Sequence, residues 1–297
     1  MNIYKREIVT LLIAALAILT AVGFFLNNLQ KEKSTVRTDL YTLITPKSYA
    51  LLQINRPHAF AKYILSQKTE YDIFASNIPS VLLSIIQETP ELSSSLLSFN
   101  QQGVVLYTHA ENRLIRQIEK NTLEKRFHTF TPQQQTKKGI TFHYYPDTGN
   151  RFFGYFQYND IWVASYSRKL LEEVASMLTI GTRYLLPQQD SLRKVLDLNV
   201  PLNLLLQTDC LPPSVQLNDS ISWKIPTGWL AADLFMNEQH LCYSSSLPFY
   251  STTDSLPFHI GDTLAKHLNL YFPQFKVTNQ TTTDKNQIYF TGKLIPQ

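Results

Sequence analysis

Seven histidines, two cysteines and 23 acidic residues are the raw material for chemistry in this chain. Their spacing assembles few known devices. His109-Ala110-Glu111 has the H-x-E order of the zinc deaminases, where the histidine binds metal and the glutamate moves protons, but no P-C-x-x-C follows it. His240 and Cys242 form a lone H-x-C pair, which a strand hairpin explains better than a metal does. No H-E-x-x-H or C-x-x-C occurs. With nine glycines, the chain contains no G-x-G-x-x-G, G-x-x-x-x-G-K or G-x-S-x-G, so neither a phosphate cradle nor a nucleophile elbow is indicated. Glu172 and Glu173 are adjacent on an expected helix, where neighbours point about 100° apart, so they read as a solvated face rather than an acid–base pair. No residue is therefore assigned a catalytic, cofactor-binding or metal-binding role, and no cofactor is expected. A Ser/His/Asp triad is assembled in space, so a hydrolase stays open as the second reading.

Aromatic density is the one feature that looks like a binding surface. Phe142–Tyr166 holds ten aromatics in twenty-five positions. Alternation in a strand puts Phe152, Phe156 and Tyr158 on one face and Phe153 and Tyr155 on the other. One face is core. The second is either also buried, with aromatic cross-strand pairs, or an open platform for a glycan, peptide or protein. The platform reading names Phe153, Tyr155 and Trp162, with Trp229 and Phe235 on a similar surface further along.

The elements that position these residues follow from periodicity. Strands are predicted at Tyr49–Asn55, Gly103–Thr108, Phe127–Thr131, Ile140–Tyr145, Arg151–Tyr158, Ile161–Tyr166, Leu202–Asp209, Gly228–Met236, His240–Ser246, Phe275–Asn279 and Gln287–Leu294. Helices are predicted at His58–Gln67, within Ile73–Phe99 including a turn or two at Leu92–Leu97, and at Asn112–Lys125, Lys169–Ile180 and Ile260–Leu270. In Asn112–Lys125 the pattern points Arg113, Arg116, Glu119 and Lys120 outward. Pro132–Gly139 reads as a polar turn. The expected class is α+β: largely antiparallel sheets packed with helices, preceded by one N-terminal transmembrane helix.

Two similar halves are a further reading. Phe127–Phe142 aligns with Phe275–Phe290 at an offset of 148 with four identities, and Leu51-Leu52-Gln53 matches Leu205-Leu206-Gln207 at an offset of 154. Chance similarity of two strand–turn–strand blocks is the alternative. The division that results is an anchor at 1–30, a polar tether at 31–40, a first α+β half at 41–185 and a second at 186–297.

Ile8–Leu26 is nineteen residues without a charge, close to the length that crosses a bilayer core of about 30 Å. A signal anchor is favoured over a cleavable signal peptide because the apolar run continues through Phe24, Phe25 and Leu26, although Ala21-Val22-Gly23 offers a small-x-small cleavage site. The short tail before a single span places residues 27–297 outside the cytoplasmic membrane. There, Cys210 and Cys242 are permitted one disulfide, with two buried free thiols the equal alternative. Ser191, Ser220, Ser255 and Thr263 each stand in a D-[S/T]-aliphatic context, met by four of the twelve aspartates, which resembles an O-glycosylation signal of bacterial envelopes; a helix N-cap is the equal alternative at Asp262-Thr263. The formal charge of +4 is too small for a nucleic-acid surface.

An N-terminal anchor followed by YALLQINRPHAFAKYIL and GWLAADLFMNEQHLCYSSSLPF resembles the uncharacterised single-anchor envelope proteins of Gram-negative gut bacteria, a family built on a domain of unknown function. The resemblance implies an inner-membrane, single-pass protein whose C-terminal domain lies in the periplasm. It brings no catalytic residues. The expected role is a non-enzymatic binding or assembly module, held at the membrane through residues 8–26, with an envelope protein or glycan as partner. The alternative is a tethered hydrolase acting on an envelope polymer.

Overall fold

A computed structural model describes residues 38–66, 73–128, 130–181, 196–207, 214–218, 221–224, 228–236, 240–248, 275–284 and 287–296. The chain divides into two units, Met1–Thr38 and Asp39–Gln297, and the second carries the architecture that follows.

Strand β1, Ser48–Ile54, is apolar along most of its length and stops before Arg56-Pro57. Pro57 then opens helix α1, Pro57–Ser66, where its missing N–H costs no hydrogen bond. Helices α2, Ile73–Asn77, and α3, Ser80–Glu88, follow, the latter burying Val81, Leu82, Ile85 and Ile86. Strands β2, Ser95–Asn100, and β3, Gly103–His109, form a hairpin. Helix α4, Asn112–Ile118, widens into a π-helical turn at Glu119–Leu123 before a last turn α5, Glu124–Arg126. A four-strand meander comes next: β4 Gln133–Lys137, β5 Ile140–Asp147, β6 Arg151–Tyr158 and β7 Ile161–Ser165. Helix α6, Arg168–Ile180, begins where the Ser167 hydroxyl accepts the Leu170 N–H and ends at Gly181, whose φ of 74° is the left-handed cap glycine allows.

The second part is strand: β8 Leu202–Gln207, β9 Ser214–Asn218, β10 Ile221–Lys224, β11 Trp229–Met236, β12 Leu241–Pro248, β13 Phe275–Asp284 and β14 Gln287–Pro296. Strands β9 and β10 pair by themselves. The other twelve form one sheet in the order β13-β14-β12-β11-β8-β1-β2-β3-β7-β6-β5-β4, with antiparallel neighbours throughout. The class is α+β, mostly antiparallel sheet with helices.

Alternation along the strands divides their side chains between two apolar layers. Leu52, Ile54, Leu97, Leu106, Phe153 and Trp162 pack with Phe60, Val81, Ile85, Ile115 and Ile118 of the helices α1, α3 and α4. Leu51, Leu96, Val105, Tyr107, Phe142 and Phe156 pack with Leu40–Ile44 and with Leu170, Leu171 and Val174 of α6. The central strands are therefore buried on both faces, unlike the one-sided sheet of a simple hairpin stack.

Several expectations change. The segment Leu92–Leu97, read as helical, contributes to strand β2 instead. Its serines are satisfied sideways: Ser98 Oγ lies 2.7 Å from Ser48 Oγ, and Ser95 Oγ donates to Thr108 Oγ1 at 3.1 Å. The polar stretch Pro132–Gly139 holds strand β4, and the turn shrinks to Lys138-Gly139, both with positive φ. Phe127 ends a helix rather than starting a strand, its N–H bonded to the Leu123 carbonyl at 2.8 Å. The expected helix Ile260–Leu270 and the expected span Ile8–Leu26 lie outside the described residues. Among the described residues no helix is long and apolar enough to cross a membrane.

Candidate functional site

The expected aromatic platform is buried. Phe153, Tyr155 and Trp162 are 0 %, 2 % and 0 % exposed, and Trp229 is buried as well. The cause is the helical cover. Phe127, at the end of α5, stacks at 4.9 Å on Tyr145 and at 5.9 Å on Phe153, while Trp162 lies 5.5 Å from the Tyr155 ring. Of the five residues named for this surface, only Phe235 keeps an open ring, at 43 % exposure. Strand alternation correctly separates Phe153 from Phe156 but carries no information about which faces a distant helix will cover.

Polar chemistry gathers instead where the π-helical turn crosses the sheet. Glu119 follows the buried Ile115 by four residues, so the regular helical period already sets it beside the face packed on the sheet, and Tyr155 Oη donates to Glu119 Oε1 at 2.6 Å. The His143 ring stacks on Tyr155 at 4.8 Å with planes 10° apart. Burial, reinforced by the Glu119 bond, pushes the Tyr155 phenol far above its ordinary range. Burial also lowers the His143 imidazole, against the opposing pull of Glu119. Tyr155 is thus a fixed neutral donor and Glu119 its acceptor, an arrangement that ties helix to sheet. The expected outward position of Glu119 fails because the residue lies four positions from Ile115 and next to Ile118, at the border of the buried stripe, where a long side chain reaches the sheet.

The remaining stripe of that helix is open. Arg113, Arg116, Gln117, Lys120 and Asn121 border a surface depression of ≈ 380 Å³. Arg113 is shared with Glu91 at 3.7 Å.

Other titratable groups are also engaged by the fold. His109 Nδ1 lies 2.9 Å from Asp160 Oδ2, joining the end of β3 to the β6–β7 turn. The nearby Ser93 hydroxyl donates to the His109 carbonyl at 3.3 Å, not to its ring. Glu172 Oε1 accepts from Lys137 Nζ at 2.7 Å and from Arg168 Nε at 2.8 Å, and those two bonds hold its carboxyl below the ordinary range. The buried Asn203 amide donates to Asp233 Oδ1 at 2.7 Å and to the Asp197 carbonyl at 3.1 Å. Burial raises the Asp233 carboxyl although Asn203 works against it. Among the described residues no cluster of histidine, cysteine and acid is arranged to hold a metal.

Cys242 is half-buried on β12, but Cys210 lies outside the described residues, as do Ser191, Ser220, Ser255 and Thr263.

No family model and no curated protein matches the chain. Solved structures of TP0453 share the fold. Its crystal form I aligns with a TM-score of 0.50 at 11 % identity over 88 % of this chain and 94 % of that one. Crystal form III gives the same score and identity over 88 % and 96 %. At that identity the similarity is one of architecture.

Proposed function

We propose that this chain is a non-enzymatic binding or assembly module of a bacterial cell envelope. The observation that carries this reading is how the reactive side chains are used. His109, Glu119 and Glu172 each hold two parts of the fold together, while a basic depression lies on the surface and, among the described residues, no further strand pairs with either end of the wide sheet. Side chains committed to such clamps are poor acids or nucleophiles, because a catalytic group must reach a substrate.

On this reading Ile8–Leu26 crosses the inner membrane once, as in the envelope proteins of Gram-negative gut bacteria, and residues 27–297 lie in the periplasm with an envelope protein or glycan as partner. The order of segments supports it: an uncharged run of nineteen residues, a polar stretch, then a separate unit beginning at Asp39. The reading of two similar halves finds support in strand order. From the centre outward one side runs β1-β2-β3-β7-β6-β5-β4 and the other β8-β11-β12-β14-β13. The two become equivalent once β6 and β7 are left out, and the hairpins β4–β5 and β13–β14 then correspond.

Fractionation of the native host tests the location. The chain should stay with the inner membrane after carbonate washing, and protease should remove its C-terminal domain only once the outer membrane is opened. Recovery in the soluble cytosol would overturn the proposal. Turnover of an envelope polymer that is lost in His109→Ala, with the fold intact, would favour the tethered hydrolase instead.

A further inference from the structure

The two ends of the sheet are built differently. Edge strand β4 has five residues, runs into Lys137-Lys138, and has the Arg168 guanidinium bonded to its Gln135 side chain at 2.7 Å. It shows the usual protections of an edge: short length and nearby cations. Edge strand β13 shows few. It has ten residues, as long as any strand described, and pairs with β14 through ten consecutive partners without a bulge. It contains no proline, and its only charged residues are Lys276 near one end and Asp284 at the other. Lys276, Thr278, Gln280 and Thr282 are exposed. Among the described residues no strand pairs with its outer edge.

We infer that the outer edge of β13 is a dimer interface, occupied by β13 of a second copy of this chain in antiparallel pairing. The sequence of the strand is self-complementary in one register. When paired residue numbers sum to 560, Lys276 stands opposite Asp284 of the second copy, Thr278 opposite Thr282, and Gln280 opposite its own counterpart. Both charged residues then meet an opposite charge, twice over by symmetry. Sliding the register by two residues leaves Lys276 opposite Thr282 and loses both pairs. A twofold interface requires this reciprocity, with each contact made once in each direction. The pairing satisfies backbone groups along the whole edge and joins two sheets into one.

Cross-linking of the full chain in its native membrane reads the register directly. Directly opposed residues have Cβ atoms about 5 Å apart, within disulfide reach, whereas Thr282 and its own counterpart would be about 13 Å apart. Gln280→Cys should therefore form a dimer of twice the chain mass on mild oxidation, above the baseline set by the unsubstituted chain with its native cysteines. Thr282→Cys alone should stay at baseline, and Thr278→Cys combined with Thr282→Cys should restore the dimer. Sedimentation of the detergent-solubilised chain should show Lys276→Glu raising the dimer dissociation constant roughly tenfold, with Asp284→Lys added to it bringing the constant back. The inference is overturned if Gln280→Cys links no better than Thr282→Cys, if its adduct has the mass of a different protein, or if the charge reversal leaves association unchanged.

Discussion

Leu51 stands opposite Leu205 at the middle of the twelve-stranded sheet, and both are buried in the same apolar layer. The register runs evenly to either side, with Ala50 opposite Leu206 and Leu52 opposite Leu204. This pair joins the two parts of the chain where the sheet is covered on both faces. Leu51→Ala and Leu205→Ala should each lower the unfolding free energy by about 2–5 kcal/mol. Because the two are neighbours, the double variant should lose less than the sum, by about 0.5 kcal/mol or more. Urea denaturation followed by tryptophan fluorescence measures all three. Full additivity would mean that the strands part without disturbing each other.

Gly154 faces Tyr144 across β6 and β5. A Cβ there would lie 2.7 Å from Leu171 Cδ1 and 2.8 Å from the Tyr144 ring, so the glycine makes room for helix α6 to settle on the sheet. Gly154→Ala should destabilise the fold by about 1–3 kcal/mol through overpacking. Thermal melts check this, and an unchanged melting temperature would show that Leu171 moves aside freely.

Tyr155→Phe removes the donor to Glu119 and should cost about 1.5–3 kcal/mol, the range for a hydrogen bond to a charged group. Glu119→Gln keeps an acceptor oxygen and should cost less. Equal losses in chemical denaturation would place the effect in the helix turn itself and not in the bond.

The Lys137–Glu172–Arg168 cluster gives acid sensitivity of a defined sign. Its folded carboxyl titrates below the unfolded value of about 4.3, so the stabilisation is present above that pH and is lost as pH falls through the lower folded value. Since all three side chains are at least a third exposed, the contribution is under about 1 kcal/mol. Glu172→Gln should lower stability at neutral pH by up to that amount and leave stability at strongly acid pH nearly unchanged, which flattens the acid limb. High salt should mimic the variant.

Asp233 has the opposite sign. Its folded carboxyl titrates above the ordinary aspartate value, so stability falls as pH rises through that window. Asp233→Asn preserves an acceptor for the Asn203 amide and should be neutral or slightly stabilising at neutral pH. A large loss in the denaturation midpoint would show that the charge itself is needed.

What could be read from sequence depended on whether the signal was local. The alternation of Arg151–Tyr158, the strand at Gly228–Met236 and the helix at Lys169–Ile180 are written in adjacent residues and match the structure to within a residue. Strand β2 was obscured because its serines resemble helix-compatible filler until Ser48 and Thr108, from other strands, provide their partners. Strand β4 was obscured because a glutamine-rich edge has no apolar face to alternate. The burial of Phe153, Tyr155 and Trp162, and the contact of Glu119 with Tyr155, depend on a helix packed across the sheet from elsewhere in the chain.

The central pairing of β1 with β8 also sets an order of events during synthesis. Strand β1 emerges early and can pair with β2 on one side, but its other partner begins at Leu202. For roughly 150 intervening residues a strand rich in leucine waits with one ladder of backbone groups unfilled, the arrangement that favours slow closure and capture by other chains. A chain halted before residue 196 should therefore aggregate where the complete chain folds, which makes the interval between these two strands the point at which a holdase chaperone would matter most.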